Sequence, residues 1–222
     1  MAVAAEVPYL GTFITLEGGE GAGKSSLLNH LTTFLTERGY PVVVTREPGG
    51  TSLGEAIRDL VLRHDPSMSI GTEAELLLFL AARAQHIKEK ILPALEKGKI
   101  VLCDRFNDST IAYQGGARGL GIDYVQRLCL LVCGVVVPRL TLFLDVSPEI
   151  GLTRSRGVDK EQSATGEFDR IESEALIFHQ KIQQAFEKLA ALEPLRIHTL
   201  NADQPQENVK REAVDAVMEI LK

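Results

Sequence analysis

Gly18-Gly19-Glu20-Gly21-Ala22-Gly23-Lys24-Ser25 fits the pattern G-x-x-x-x-G-K-[ST], and its flanks decide how it is read. Before it runs the β-prone stretch Thr12 to Leu16. After it, Leu27, Leu28, Leu31, Phe34 and Leu35 recur at helical spacing as far as Gly39. A glycine-rich segment that leaves a strand and opens a helix is a phosphate-binding loop. Glycines let successive backbone N–H groups curl round phosphate oxygens, and the dipole of the following helix adds positive potential there. The lysine reaches the β/γ-phosphates, and the hydroxyl after it suits Mg²⁺. Gly18 to Ser25, with Ser26 next, are therefore candidate nucleotide-binding residues.

Bulk properties narrow the setting of that loop. At 222 residues and 45% hydrophobic composition the chain is long enough to bury one substantial core, and one domain is expected. Lys plus Arg number 24 against 30 Asp plus Glu, a formal charge of −6, so no broad basic surface exists for a nucleic-acid backbone. No apolar run approaches the roughly 20 residues that span a bilayer. Met1 to Tyr9 lacks the basic start and apolar core of a signal peptide, so a cytoplasmic location is expected. Cys103 lies in an apolar run, while Cys129 and Cys133 are four apart on a helix face; buried reduced thiols are expected, not a metal centre.

Outward from the loop, strands alternate with helices. Pro41 to Thr45 is a β-branched run that ends in the turn Arg46-Glu47-Pro48-Gly49-Gly50. Leu53, Ala56, Ile57, Leu60 and Val61 mark a helix capped by Ser52, and Thr72 to Glu96 forms a longer helical region that Pro93 kinks near its end. Lys99 to Arg105 is a buried strand ending in a charged pair, Asp104-Arg105, and charge at the carboxyl end of such a strand points to a site. Asn107 to Tyr113 makes a helical turn, Gln114 to Gly119 reads as a mobile glycine-rich stretch, and Asp123 to Cys133 is a helix. Leu140 to Val146 is the fourth strand, and Ser147-Pro148-Glu149 opens a helix to about Arg156. Gly157 to Gly166 is polar without apolar periodicity and reads as a surface lid. A long helix carrying Ile171, Leu176, Ile177, Ile182, Phe186 and Leu189, the strand Arg196 to Leu200 and a closing helix Pro205 to Leu221 complete the chain. This order implies an α/β fold: a three-layer α/β/α P-loop kinase fold with a five-stranded parallel sheet and a lid.

The loop alone does not name a reaction. A GTPase is expected to carry an Asn-Lys-x-Asp segment, and Asn201-Ala202-Asp203 lacks the lysine. Compact size and a lid favour a small-molecule kinase, with a nucleotide-dependent switch as the competing class. Glu17 to Ser25, Thr45-Arg46-Glu47-Pro48-Gly49-Gly50, Asp104-Arg105-Phe106, Ala112-Tyr113-Gln114-Gly115-Gly116 and Asp169-Arg170-Ile171-Glu172 together resemble the thymidylate kinase family, in order and over almost the whole chain. The resemblance implies Mg-dependent transfer of the ATP γ-phosphoryl group to dTMP, giving dTDP and ADP, by a homodimer that binds neither nucleic acid nor membrane.

It also implies roles. Lys24 and the loop amides hold donor phosphates, and Ser25 and Asp104 hold Mg²⁺ directly or through water. Arg105 binds the acceptor phosphate, with Arg46 supporting the same pocket. Phe79 and Arg83, four apart on one helix face, stack on thymine and hydrogen-bond its carbonyl edge; on spacing alone an aromatic such as Phe79 is more often a core residue. Thr110 reaches the base, Tyr113 packs under the sugar, and Gln114 lies beside it. Glu20 faces the acceptor's 3′-hydroxyl. Gly21 stands where some relatives have a cation, so the lid, about residues 154–168, must supply one from Arg154, Arg156 or Lys160, with the arginines favoured. An arginine introduced at position 21 is expected to replace that lid cation in part.

Overall fold

The computed structural model describes residues 9–63, 65, 67–162, 170–171 and 174–222, with the side chains of 156–162 left aside. Five parallel strands, β1 (Thr12–Glu17), β2 (Val42–Arg46), β3 (Ile100–Asp104), β4 (Leu140–Asp145) and β5 (Ile197–Asn201), lie in the order β2-β3-β1-β4-β5. Register is set by side-chain alternation. On β1, Ile14 and Leu16 join Leu102, Leu142, Leu144 and Leu200 beneath α1 (Lys24–Glu37) and α9 (Gln206–Ile220). Phe13 faces the other way, with Val101 and Cys103, under α4 (Leu92–Glu96) and α6 (Ile122–Cys133). Phe143 on β4 packs in the same layer against α8 (Leu176–Leu192). A sheet covered on both faces buries the three inner strands β1, β3 and β4 almost entirely, which is why they read as unbroken apolar runs, while the edge strands β2 and β5 keep exposed positions. The expected three layers result.

Several boundaries differ from the sequence reading for local physical reasons. Thr51, not Ser52, caps α2 (Ser52–Leu62), because its side chain accepts from the Gly54 N–H at 3.0 Å. The long helix is α3 (Thr72–His86), which passes through a π-helical stretch, Ile87–Ile91, into α4; the irregularity falls just before Pro93, which has no N–H to donate. Most of Gln114 to Gly119 is regular helical backbone, through Ala117. After α5 (Asn107–Thr110) the chain forms a second π-helical segment, Ile111–Ala117, whose Gly116 lies so close to α8 that a Cβ there would sit 2.7 Å from the Ala185 Cβ. Gly115 and Gly116 serve close packing, whereas Gly119, with φ +82° and nothing within 4 Å of a Cβ, serves the turn.

The helix opened at Pro148, α7 (Pro148–Gln162), continues six residues beyond Arg156 through a stretch without proline, so 154–162 of the expected lid is helical backbone. The side chains of Arg156 and Lys160, and residues 163–168 of the lid together with Asp169, lie outside what is described, as do Glu172 and residues 1–8. Ile171 is buried in a turn ahead of α8, not within it. No helix among the described residues is long and apolar enough to cross a membrane, and the three cysteines are free and buried.

Candidate active site

The site gathers at the carboxyl ends of β1 and β3. The loop after β1 returns close to β4: a Cβ on Gly18, whose φ is +143°, would meet the Leu144 carbonyl oxygen at 2.5 Å. Lys24, in the first position of α1, is buried and donates to the carbonyls of Gly18 (3.1 Å) and Gly19 (2.8 Å). Burial, followed by the nearby Arg105 cation, lowers its pKa. An ammonium has three donors, so one remains for a phosphate.

Arg105, just past β3, takes a left-handed backbone conformation with φ 67° that non-glycine residues seldom adopt, and its N–H donates to the Leu16 carbonyl at 2.9 Å. That conformation turns its guanidinium back over the loop. Nη1 donates to the Gly18 carbonyl (2.9 Å) and Ser109 Oγ (3.2 Å), and Nη2 pairs with Glu20 Oε1 at 2.6 Å. The Tyr113 hydroxyl donates to the same Glu20 oxygen at 2.9 Å. Burial alone would raise the Glu20 pKa, but the Arg105 and Lys24 cations and the Tyr113 hydrogen bond outweigh it and hold the carboxyl at about 2. Beneath them, burial and then the Asp108 charge push Glu17 up to about 7 while it accepts from the Phe106 N–H at 2.7 Å and from Ser109 Oγ.

Among the described residues, three sizeable cavities open on this centre. One of about 150 Å³ lies between α2, α3 and the second π-helical segment, and its lining includes Glu20, Phe79, Arg83, Arg105, Thr110, Tyr113 and Gln114. Seven residues picked from four separate stretches of sequence therefore meet around one space. A second, of about 380 Å³, runs along the outer side of the loop past Gly21, Gly23, Ser26 and Arg154 to Ala202–Gln206 and Lys210. The third, of about 320 Å³, holds Ser25, Thr45, Arg46, Lys90 and Asp104. In it Asp104 Oδ1 is buried and accepts no hydrogen bond among the described residues, so this oxygen, in the same cavity as Ser25, could ligate a cation.

Three arginines stand differently from the sequence reading. Arg46 does not line the first cavity; it is half-exposed, pairs with Glu55 at 2.9 Å and faces the Asp104 side. Alternation on β2 sends it there, and Arg58 of α2, whose Nη1 donates to the Pro48 carbonyl at 3.1 Å, lines the first cavity in its place. Arg83 is 1% exposed and largely committed to the frame: Nε donates to Glu47 (2.7 Å), Nη2 to the Phe106 carbonyl (3.0 Å) and Thr110 Oγ1 (2.8 Å), and Nη1 to Cys129 Sγ (3.7 Å). One Nη1–H is left for a ligand. Arg154 bonds the Ala202 carbonyl at 2.9 Å and so stands in the second cavity, not over the first.

Sequence reasoning missed the buried acids that hold the cations. Glu47 accepts from Arg83 and from His86 Nδ1 at 2.9 Å, and Glu75 accepts from Gln114, Arg118 and Arg170. An acid in a turn or in a helix's first turn reads as solvated, so only partners distant in sequence reveal these two.

Known proteins provide an independent comparison. The model of the family described as thymidylate kinase matches residues 16–213. The chain is 57% identical to a thymidylate kinase of Protochlamydia amoebophila over 211 residues, 95% of this chain and 94% of that one. It is 44% identical to a thymidylate kinase of Geobacillus thermodenitrificans over 95% of this chain and 91% of that one. Among solved structures, a thymidylate kinase crystal structure from Ehrlichia chaffeensis superposes with a TM-score of 0.73 at 32% identity, covering 93% of this chain and 98% of that one.

Proposed function

The chain belongs to the thymidylate kinase family and phosphorylates dTMP from a nucleotide donor; we propose that the donor is ATP with Mg²⁺, that dTMP occupies the cavity between α2 and α3, and that ATP lies along the outer side of the loop. What carries this reading is that the two cavities flank one loop, with Glu20 on one side and Gly21 on the other. Donor and acceptor phosphates then meet at Lys24 and Arg105.

Phe79 and Tyr113 supply apolar faces for base and sugar, and Arg105, with Arg58, supplies cations for the acceptor phosphate. Ser25 and the unbonded Asp104 oxygen would hold Mg²⁺, which when bound neutralises charge on the donor phosphates. No side chain has to remove a proton: the attacking phosphate oxygen has a second pKa of about 6 and is already mostly ionised at neutral pH. Alignment and charge neutralisation therefore carry the catalysis. Glu20, paired with Arg105 and Tyr113, sets where that guanidinium lies. Arg156 or Lys160 supplies the transition-state cation, and Arg154 contacts the donor.

The enzyme works as a single cytoplasmic domain that pairs with a second copy. Tyr124, Leu130 and Leu131 on α6 and Leu77 on the adjoining α3 are exposed apolar residues that support the pairing. Release of ADP in step with added dTMP, with dTDP as the other product, tests the assignment. ATP turnover indifferent to dTMP would overturn it.

A further inference from the structure

One polar group of the acceptor cavity has its direction set from behind. Gln114 is 2% exposed, lines the cavity, and donates from Nε2 to Glu75 Oε1 at 2.8 Å. Glu75, 1% exposed, lies outside the lining; it also accepts from Arg118 Nε at 3.2 Å and from Arg170 Nη2. Burial would raise its pKa, yet the bonds from Gln114 and Arg170 and the Arg118 charge outweigh this and lower it, so the group is a carboxylate. A carboxylate can only accept. The NH₂ of Gln114 must therefore face Glu75, and the carbonyl Oε1 is the end of the amide that remains for the cavity.

We propose that Glu75 is a positioning residue for base choice: by holding the Gln114 amide with its carbonyl oxygen toward the acceptor cavity, it makes that cavity complementary to a pyrimidine with an N3–H and unfavourable to cytosine. The inference rests on the acceptor assignment above. Thymine presents N3–H between two carbonyls, whereas cytosine presents a bare nitrogen lone pair at the same ring position. An oxygen in the cavity bonds the first and repels the second. A flipped amide would reverse the preference, because its NH₂ would donate to cytosine N3. A glutamine by itself has no such polarity; the charge behind it imposes one.

Glu75→Gln separates this role from packing. Oε2 takes the Arg170 bond and one from Arg118 Nη2, whereas Oε1 takes Gln114 Nε2 and Arg118 Nε. The new amide keeps its oxygen at the Oε2 position, between two guanidinium groups, and loses the Arg118 Nε bond; its NH₂ faces Gln114, which must flip to accept from it. The variant should melt as a folded protein and keep its KM for ATP, while the kcat/KM ratio of dTMP over dCMP falls about tenfold or more. Glu75→Asp, which still only accepts, should keep most of that ratio. Gln114→Leu should lower it too, and the double variant Glu75→Gln with Gln114→Leu should fall no further than Gln114→Leu alone.

A folded Glu75→Gln variant with the parent ratio, or additive losses in the double variant, would overturn the proposal. Should Glu75→Gln not fold, the parent protein decides: calorimetry should find dTMP methylated at N3 bound about tenfold more weakly than dTMP, and equal binding would overturn it. A parent protein inactive on dTMP would instead remove the acceptor assignment itself.

Discussion

The backbone of Gly21 rests against the backbone of Gly151: a Cβ on Gly21 would sit 1.9 Å from the Gly151 carbonyl oxygen, and one on Gly151 would sit 2.4 Å from the Glu20 carbonyl oxygen. The glycine-rich loop and the first turn of α7 are thus in main-chain contact, which ties the root of the lid helix to the loop proposed to hold the donor. Gly21 also has φ +64°. The expectation that an arginine at position 21 could stand in for a lid cation is therefore overturned, since no side chain can leave that position without moving α7. Gly21→Arg should lose stability, about 1–3 kcal/mol by overpacking, and should not recover turnover in any lid variant. Gly151→Ala should fold and lose turnover. Thermal melting and steady-state rates check both, and a Gly21→Arg protein with parental melting would refute the contact.

Lys24→Ala should leave far-UV circular dichroism unchanged and lower kcat on the order of 10²-fold or more, the effect of removing one preorganised donor to a developing charge. Near-parental turnover in the folded variant would remove Lys24 from the phosphate site.

Phe79→Ala should weaken dTMP binding by about 1–3 kcal/mol through lost stacking, with ATP binding little changed. Calorimetric titration of each nucleotide reads the difference; unchanged dTMP affinity would return Phe79 to the core that surrounds it.

Arg154 stands with Ala202 in the donor cavity, so Arg154→Ala should raise the KM for ATP more than it lowers kcat. The kcat loss belongs to Arg156→Ala or Lys160→Ala and should be on the order of 10³-fold for an arginine finger. If both keep parental kcat, the cation comes from elsewhere.

Acid should act on the fold through Glu20. Its carboxyl is held at about 2 in the folded chain against an ordinary 4.5. The unfolded chain therefore takes up the proton first, and the stabilisation, complete above 4.5, drains away as pH falls toward 2. Denaturant unfolding across that window should show a shallower decline in Glu20→Gln than in the parent. Parallel declines would mean that Arg105 does not hold Glu20 as described.

What could be read in the sequence follows from interactions local in the chain. Phosphate-loop chemistry depends on consecutive residues, and apolar runs such as Leu140 to Leu144 reveal buried strands because both faces of a parallel sheet are covered. Arg105 was marked by its place after β3, and Phe79 only by the family resemblance, since its helix spacing alone favoured the core. The side of the sheet that Arg46 faces, the turn of α7 against Gly21, and the buried acids Glu47 and Glu75 were not legible, because each depends on partners far away in sequence. Glu75 meets Gln114 across 39 positions and Arg170 across 95. The sequence by itself determined the strand and helix order, the glycine-rich loop between β1 and α1, and most of the side chains named for the cavity between α2 and α3. Only the tertiary structure decided which way those side chains point and what holds their charges, because orientation and pKa are set by neighbours that folding alone brings into contact.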